Sequence, residues 1–383
     1  MKKIAIITTH PIQYQVPLFK KLKRSKIKPI IFFASKHGLT KRNVDHEFLK
    51  KIKWDINSDI LSGYKSYFPK NQNRQINDFL LTFDNLEKYL IKEKVEYTLV
   101  LGWNNIHYLK SIYLSYINKI KIILRVETNL YSTRNFFKNI LKKILFRFFF
   151  KVFSHFLYIG KLNKEFYLYH KVPFKKLYPS PYFVDNVFFQ LKTSKNKIKK
   201  KLKINSNKKV VLFVGKFISR KNPFEFIKLA ELYRSHDDLI FLMIGSGYLE
   251  KECNEYIKKK KLKNISLLGF INQKKIREYY RASDLLVVPS IYETWGLNIN
   301  EALASQTPVI CSDVCGASAD LIDEGKTGFK YKVGDLNKLY KKTNIVLYNK
   351  RIYARMIKNI KIKIKRYSID QTLDSLKKII NEG

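Results

Sequence analysis

Pro289-Ser290-Ile291-Tyr292-Glu293-Thr294-Trp295-Gly296-Leu297-Asn298-Ile299-Asn300-Glu301-Ala302 changes from strand to helix periodicity within a few residues. The apolar run Leu285–Pro289 has the length and content of a buried strand, and Leu297–Ser305 has helical spacing. Gly296 lets the chain turn into that helix. The N–H groups at Gly296, Leu297 and Asn298 have no partner inside the helix, and such a terminus attracts anions. Glu293 precedes the helix and Glu301 lies about one turn inside it, so both can face one mouth. A carboxylate accepts two hydroxyl donors at once, which suits the diol of a sugar or a ribose. Glu301 alone also reads as compensation of the helix dipole, worth under ~1 kcal/mol. The pair beside a glycine-opened helix reads as a site.

Outward from this stretch, strand and helix patterns alternate. Val210–Val214, Leu239–Ile244, Ile265–Leu268 and Pro308–Cys311 read as strands; Pro223–Ser235, Leu249–Lys260 and Lys274–Arg281 read as the helices between them. The first half repeats the pattern, with strands at Lys3–Thr8, Pro29–Ala34, Tyr97–Leu101 and Ile120–Val126 and helices at Pro17–Arg24 and Tyr108–Tyr116. Such alternation specifies parallel sheets with right-handed crossovers, and hence two doubly wound α/β domains in tandem with a cleft between facing strand ends. Phe48–Asn73 reads as an irregular excursion. Ser194–Asn207, polar and lysine-rich, reads as a surface connection with a basic helix, after a junction near Pro181–Asn186. The domains are therefore placed at residues 1–185 and 186–367, with a charged amphipathic C-terminal helix in 368–383.

Two further strand ends carry chemistry. Gly215-Lys216-Phe217-Ile218-Ser219-Arg220-Lys221 follows the strand Val210–Val214. Ammonium groups on Lys216 and Lys221 would neutralise a diphosphate, including the charge that grows on it as a leaving group; basic residues at strand ends are also expected in any chain this basic. Gly245-Ser246-Gly247 and Leu268-Gly269-Phe270-Ile271 allow the backbone near a flat ligand, with main-chain groups at Gly269, Phe270 and Ile271 reading a base edge. An ordinary turn also accounts for Ser246.

Glu293 through Ala302 resembles the E-x7-E motif of glycosyltransferase family 4. Gly215-Lys216…Lys221 resembles that family's G-[RK]-x4-K, and Asp284-Leu285…Pro289-Ser290 resembles the strand before the motif. Thr307-Pro308-Val309-Ile310 and Gly325-Lys326-Thr327-Gly328-Phe329 resemble its closing elements, so the likeness covers essentially all of the second half. More loosely, Thr9-His10-Pro11-Ile12-Gln13-Tyr14-Gln15-Val16-Pro17 resembles an N-terminal signature of some bacterial members, and Pro181-Tyr182-Phe183-Val184-Asp185-Asn186 their crossing between domains.

The resemblance implies a GT-B fold: an acceptor domain first, a nucleotide-sugar domain second, and a C-terminal helix returning toward the first. It implies transfer from a UDP- or GDP-sugar to a saccharide or lipid-linked acceptor in cell-surface polysaccharide or lipopolysaccharide assembly, with retained anomeric configuration and no metal or other cofactor. The position matching Glu301 holds the ribose hydroxyls, that matching Glu293 lies by the donor sugar, and those matching Lys216 and Lys221 hold the diphosphate. Lys216 departs from the commoner arginine, replacing a bidentate fork with a point charge. The absence of any Asp-x-Asp pair agrees with metal-independent chemistry. His10, at the end of the first strand, reads as an acceptor-side proton relay or as a satisfied loop histidine. Gln13 lies in the same polar loop, and Glu127, after Arg125 and Val126, resembles the polar position beneath the acceptor. No residue announces itself as a covalent nucleophile, which favours same-face attack on an oxocarbenium-like centre, the leaving phosphate assisting deprotonation.

Composition bounds these readings. The chain has 383 residues, 45% of them hydrophobic, enough for two cores. Its three cysteines are too few for a disulfide scaffold, and Cys311 and Cys315 lack zinc-site spacing. The N-terminal apolar run stops at Thr8-Thr9-His10, short of a signal peptide, and no stretch reaches the ~18 apolar residues of a span; a cytoplasmic protein, peripheral on the inner membrane face, is expected. The formal charge of +44, from 75 Lys and Arg against 31 Asp and Glu, attracts polyanions. AT-biased coding yields the same lysine excess.

Within 136–153, Phe137, Leu141, Ile144, Leu145, Phe148 and Val152 form one stripe. Lys138, Lys142, Lys143, Arg147 and Lys151 share the other face with Phe146, Phe149, Phe150 and Phe153. This reads as an anionic-membrane docking helix or as a helix buried on both sides. Two rivals to glycosyl transfer stand: a basic nucleic-acid- or membrane-binding protein on a degenerate fold, and a GT-B nucleotide-sugar epimerase. A nucleic-acid partner is not expected, because no recognition motif is present and the lysines are spread throughout.

Overall fold

The structure, a computed structural model, describes residues 2–12, 14–25, 27–37, 39, 44–45, 50–51, 61–69, 79–130 and 136–382, the side chains of 44–45, 50–51 and 136–141 excepted. Gln13 and most of the Phe48–Asn73 excursion lie outside these residues. The chain divides into two compact units: Met1–Asn43, Ile56–Tyr182 and Ile369–Gly383 form the first, Val44–Asp55 and Phe183–Ser368 the second.

The first unit begins with β1 (Lys2–Thr8), α1 (Val16–Lys23) and β2 (Ile27–Phe33). The short antiparallel pair β3 (Val44–Asp45) and β4 (Lys50–Lys51) is grouped with the second unit. The first unit continues through β5 (Lys65–Tyr67), α2 (Leu86–Lys92), β6 (Tyr97–Val100), α3 (Ile106–Ile117), β7 (Lys121–Leu124), α4 (Phe136–Phe149), β8 (His155–Tyr158), α5 (Lys161–Tyr169) and β9 (Leu177–Pro179). Its sheet runs β5-β2-β1-β6-β7-β8-β9 with parallel pairing throughout. Ile4, Ala5, Ile6 and Ile7 of β1, an interior strand, are wholly buried, as helices on both faces of a parallel sheet require. The final helix, Ile369–Glu382, packs on this unit: it buries Leu373, Leu376, Ile379 and Ile380, Asp370 pairs with Lys21, and Thr372 meets Ser180 at 3.0 Å.

The second unit holds α6 (Asn186–Phe189), α7 (Lys195–Lys201), β10 (Lys209–Val214), α8 (Pro223–Leu232), β11 (Leu239–Ile244), α9 (Glu250–Lys259), β12 (Ile265–Leu267), α10 (Gln273–Ala282) and β13 (Leu285–Val288). It ends with α11 (Leu297–Ala304), β14 (Val309–Ser312), α12 (Ser318–Leu321), β15 (Gly328–Tyr331), α13 (Leu336–Tyr348) and α14 (Lys350–Lys365), before the final helix, α15. The parallel sheet runs β12-β11-β10-β13-β14-β15. The chain thus winds outward through β10, β11 and β12, then returns across β10 to begin its second half at β13. Between β10 and β13 the loops at the strand carboxyl ends diverge, and such a switch point is where a doubly wound sheet opens a ligand crevice.

Two expectations need correction. Ser194–Asn207 is not a mere surface connection, because α7 within it delivers Lys195 and Lys199 to Asp284 at the start of β13. Lys195 Nζ donates to Asp284 Oδ1 at 2.8 Å and Lys199 Nζ to Oδ2 at 3.3 Å, while Val210 N–H reaches Oδ2 at 2.8 Å. A single carboxylate at a strand junction anchors two lysines that composition alone assigns to solvent.

The 136–153 helix is also turned over relative to its periodicity. Phe150 and Phe153 are core residues, with Phe146 and Phe149 packed against them, whereas Ile144, Leu145 and Phe148 are 51%, 58% and 62% exposed. The cause is aromatic packing: Trp103 stacks on Phe146 at 5.2 Å between ring centres, and Phe146 meets His170 edge-on at 5.1 Å. Burial on both sides is thereby overturned, and the helix itself ends at Phe149.

Burial opposes ionisation of Asp284, but the two lysines outweigh it and hold the carboxyl below the usual carboxylate range. Its contribution to stability is therefore present above about pH 4 and lost as pH falls through the depressed value. Asp284→Ala strands a lysine, Lys199, that is only 4% exposed, and is expected to cost roughly 3–5 kcal/mol, read as a lower urea midpoint with an unchanged slope.

Candidate functional site

The loops at the carboxyl ends of β10, β11, β12 and β13 are laced together by main-chain bonds. Gly215 N–H donates to Ile244 O at 3.0 Å, Phe217 N–H to Ser246 O at 2.9 Å, Gly245 N–H to Gly269 O at 2.9 Å, and Ile291 N–H to Arg220 O at 2.9 Å. This lacing needs a glycine at 245: a Cβ there would lie 1.8 Å from Gly215 O. Gly269 thus stands beside the same loops, and Phe270 and Ile271 follow it in the chain.

At the switch point, Lys221 after β10 pairs with Glu293 after β13, and Arg220 Nη1 reaches the other oxygen of Glu293 at 3.4 Å. Both ends of the Lys221 pair are withdrawn from solvent, their side chains 15% and 10% exposed. Lys216 sits partly buried on the same loop. Glu293 is fixed at its backbone by Gly316, whose N–H donates to Glu293 O at 2.9 Å. Asn222 follows Lys221 in the left-handed region, φ 51°, and Pro223 then opens α8.

Gly296 caps α11 at φ +100°, a conformation in which other residues are strained. Asn298, in the first turn, donates through Nδ2 to Val214 O at 2.9 Å and ties the helix mouth to the end of β10. Leu297 and Asn298 are the first residues of that helix, and its cap Gly296 lies against the Glu293 side chain. Glu301 lies one turn deeper. Tyr280 OH donates to its Oε2 at 2.6 Å and Gln273 Nε2 to its Oε1 at 3.5 Å. Burial raises the Glu301 carboxyl to about 7, against these two donors, which lower it.

Of the sequence-derived set in the second unit, Gly215, Lys221, Glu293, Gly296 and Asn298 adjoin one another, and Gly269 joins their loops through Gly245; Glu301 lies a turn along α11 against α10, while Lys216, Phe270, Ile271 and Leu297 follow the same strand ends. Sequence reasoning passed over Arg220, Tyr280, Gln273 and Gly316. Arg220 stands within the quoted motif and was visible. Gly316 is needed because a Cβ there would fall 1.9 Å from Thr294 O, a contact between distant loops that spacing does not show.

In the first unit, His10 follows β1 at the corresponding switch point between β1 and β6. Its Nδ1 lies 2.9 Å from Thr9 Oγ1 and its ring meets His37 edge-on at 5.5 Å. Burial, with His37 adding to it, lowers the imidazole to about 4, so it is neutral near pH 7. Glu127, exposed after β7, acts electrostatically on Tyr14, Tyr108 and Arg125, and Arg125 is buried with Nε donating to Ser180 Oγ at 2.9 Å. Gln13 lies outside the described residues. Among the described residues, no group of three or more His, Cys, Asp or Glu could hold a metal ion, and the three cysteines are buried and free.

Residues 194–363 match the family model described as glycosyl transferases group 1. The chain is 29% identical over 175 residues to the alpha-monoglucosyldiacylglycerol synthase of Acholeplasma laidlawii, covering 45% of this chain and 43% of that protein; it thus spans less than half of that relative. Over the whole chain the fold matches a glycosyltransferase of Rickettsia africae (TM-score 0.76, 16% identity, 100% and 99% of the two chains). It also matches Anabaena HepE in complex with UDP and glucose (TM-score 0.72, 14% identity, 100% of both chains). The fold is GT-B, two Rossmann-like domains.

The raised Glu301 value has a measurable consequence. Between about pH 4.5 and 7 the unfolded chain releases a proton that the folded chain keeps, so stability falls as pH rises through that window and stays flat above it. Glu301→Gln, which still accepts from Tyr280, is expected to remove this slope and to raise Tm relative to the parent above pH 7, checked by thermal melts across pH.

Proposed function

We propose that this chain is a group 1 glycosyltransferase, transferring a sugar from a nucleoside-diphosphate sugar to a saccharide or lipid-linked acceptor. The observation that carries the reading is the junction of Lys221, Arg220 and Glu293 at the β10/β13 switch point, beside the open N-terminus of α11. Cations and main-chain N–H groups converge there with a carboxylate, the combination a charged diphosphate joined to a hydroxylated sugar requires. Glu301, one turn deeper, takes the ribose hydroxyls.

In the proposed reaction the bond from the anomeric carbon to the β-phosphate oxygen breaks, and the acceptor hydroxyl oxygen bonds to that carbon. The acceptor proton passes to the departing phosphate. Lys221 and Lys216, with the N–H groups at Gly296, Leu297 and Asn298, stabilise the negative charge that grows on the diphosphate, and Glu293 stands by the positive sugar. No metal is required in this scheme, and attack on the face the diphosphate leaves retains configuration. On the acceptor side, neutral His10 accepts a hydrogen bond from the acceptor, and Glu127 contacts the acceptor. UDP is the first donor to try, since the Anabaena protein of the same fold binds it; GDP is the alternative. The name of the Acholeplasma relative supports a lipid acceptor, and assembly of cell-surface polysaccharide or lipopolysaccharide at the cytoplasmic membrane face is the setting proposed.

The test is nucleoside-diphosphate release from a panel of UDP- and GDP-sugars, with melting measured alongside, since a ligand that binds only the folded state raises Tm. The true donor is expected to raise Tm and to turn over equally well in excess chelator. Glu301→Ala should abolish the shift, and Lys221→Ala should lower turnover about 10²–10³-fold. A chain that binds no nucleotide, or whose turnover ignores Lys221, contradicts the proposal; a glycosylated side chain trapped during turnover contradicts the single-displacement step.

A further inference from the structure

No acidic residue occurs between Glu127 and Glu165, while Lys142, Lys143, Arg147 and Lys151 do, all of them exposed. Within this stretch α4 buries its aromatic face against the first unit's core and leaves Ile144, Leu145 and Phe148 more than half exposed. At helical spacing those three side chains form one strip. Lys143, Arg147 and Lys151, each four residues apart, form a basic ridge along its flank. The face continues onto α5: Lys143 Nζ lies 4.6 Å from the centre of the Tyr169 ring, and Tyr169 and its neighbour Leu168 are 43% and 40% exposed. Lys151 Nζ lies 5.0 Å from the Phe148 ring, keeping a cation beside the most exposed aromatic of the strip. Phe146 and Phe149, with Phe150 just beyond the helix, attach it to the core, and Ile144, Leu145 and Phe148 lie outside that packing.

We propose that this face of α4 and α5 docks on an anionic lipid bilayer, with Ile144, Leu145 and Phe148 entering the headgroup–acyl boundary and Lys143, Arg147 and Lys151 lying on the lipid phosphates. An apolar strip flanked by long cationic side chains is the arrangement an in-plane interfacial helix uses, the stems covering apolar surface while the charged ends reach phosphate. Charge chooses this occupant. Self-association through the same face would bring the basic ridge against itself, and like charges in contact disfavour that pairing. The inference stands apart from the glycosyl-transfer reading, because lipid binding is read without catalysis.

The test is sedimentation of the full chain with phosphatidylcholine vesicles, with and without phosphatidylglycerol. The parent is expected to pellet with the phosphatidylglycerol vesicles, to bind pure phosphatidylcholine far less, and to lose binding as salt rises. Ile144→Ser/Leu145→Ser/Phe148→Ser and, separately, Lys143→Glu/Arg147→Glu/Lys151→Glu should each lower partitioning at least about tenfold. Their melting should match the parent; should either triple variant fail to fold, Phe148→Ala and Arg147→Glu alone give the same readout. Parent protein that ignores phosphatidylglycerol, folded variants that bind as the parent does, or a dimer in sedimentation velocity that the Ser variant dissolves would each overturn the proposal. The nucleotide-dependent melting shift, measured on the same samples, reports separately on the second unit.

Discussion

An ion pair is held where the sheet of the second unit changes direction. Lys221 and Glu293 belong to loops on strands adjacent in space but far apart in the chain, and their mutual attraction closes the switch point between β10 and β13. Withdrawing two charges from water costs several kcal/mol per ion unless good geometry and further bonds offset it. Here Arg220 adds a second cation to Glu293, and Gly316 fixes that residue's backbone. A pair of this kind is a poor source of stability and a good source of position. It holds a cation and a carboxylate in fixed positions beside the N-terminus of α11.

The backbone makes that placement possible. Gly245 lies against Gly215 O and Gly316 against Thr294 O, each at a distance no Cβ could tolerate. These contacts stack successive strand-end loops in layers, so the Lys221 loop, the Glu293 loop and the start of α11 lie along one edge. Asn298 seals that edge to the end of β10. Deeper in, Tyr280 and Gln273 bring α10 onto Glu301, which ties that carboxylate to the packing of two helices.

Much of this was legible in the sequence because it is local. Periodicity located β1, β2, β6, β7 and every strand from β10 to β14 to within a few residues, since buried parallel strands are short apolar runs between turn signals. The Lys221, Glu293 and Glu301 cluster was legible because each motif follows a strand end, where a doubly wound sheet gathers its loops. What escaped was long-range. Asp284 recruits Lys195 and Lys199 across the fold, a partnership no spacing encodes. The orientation of α4 was misjudged because both of its faces are apolar, and the choice between them was made by Trp103, Phe166 and His170, which belong to other elements. Tyr280 was missed for the same reason.

In the proposed function Lys221 and Glu293 act as one preorganised unit toward a nucleoside-diphosphate sugar. Isothermal titration of UDP-glucose, or of whichever donor raises Tm, into the parent, Lys221→Met, Glu293→Gln and the double variant tests it most directly. Weakened binding is expected in each single variant, with a coupling between them of about 0.5–3 kcal/mol, so that the double variant is little worse than the weaker single one. Strictly additive losses, or affinities indistinguishable from the parent, would contradict it.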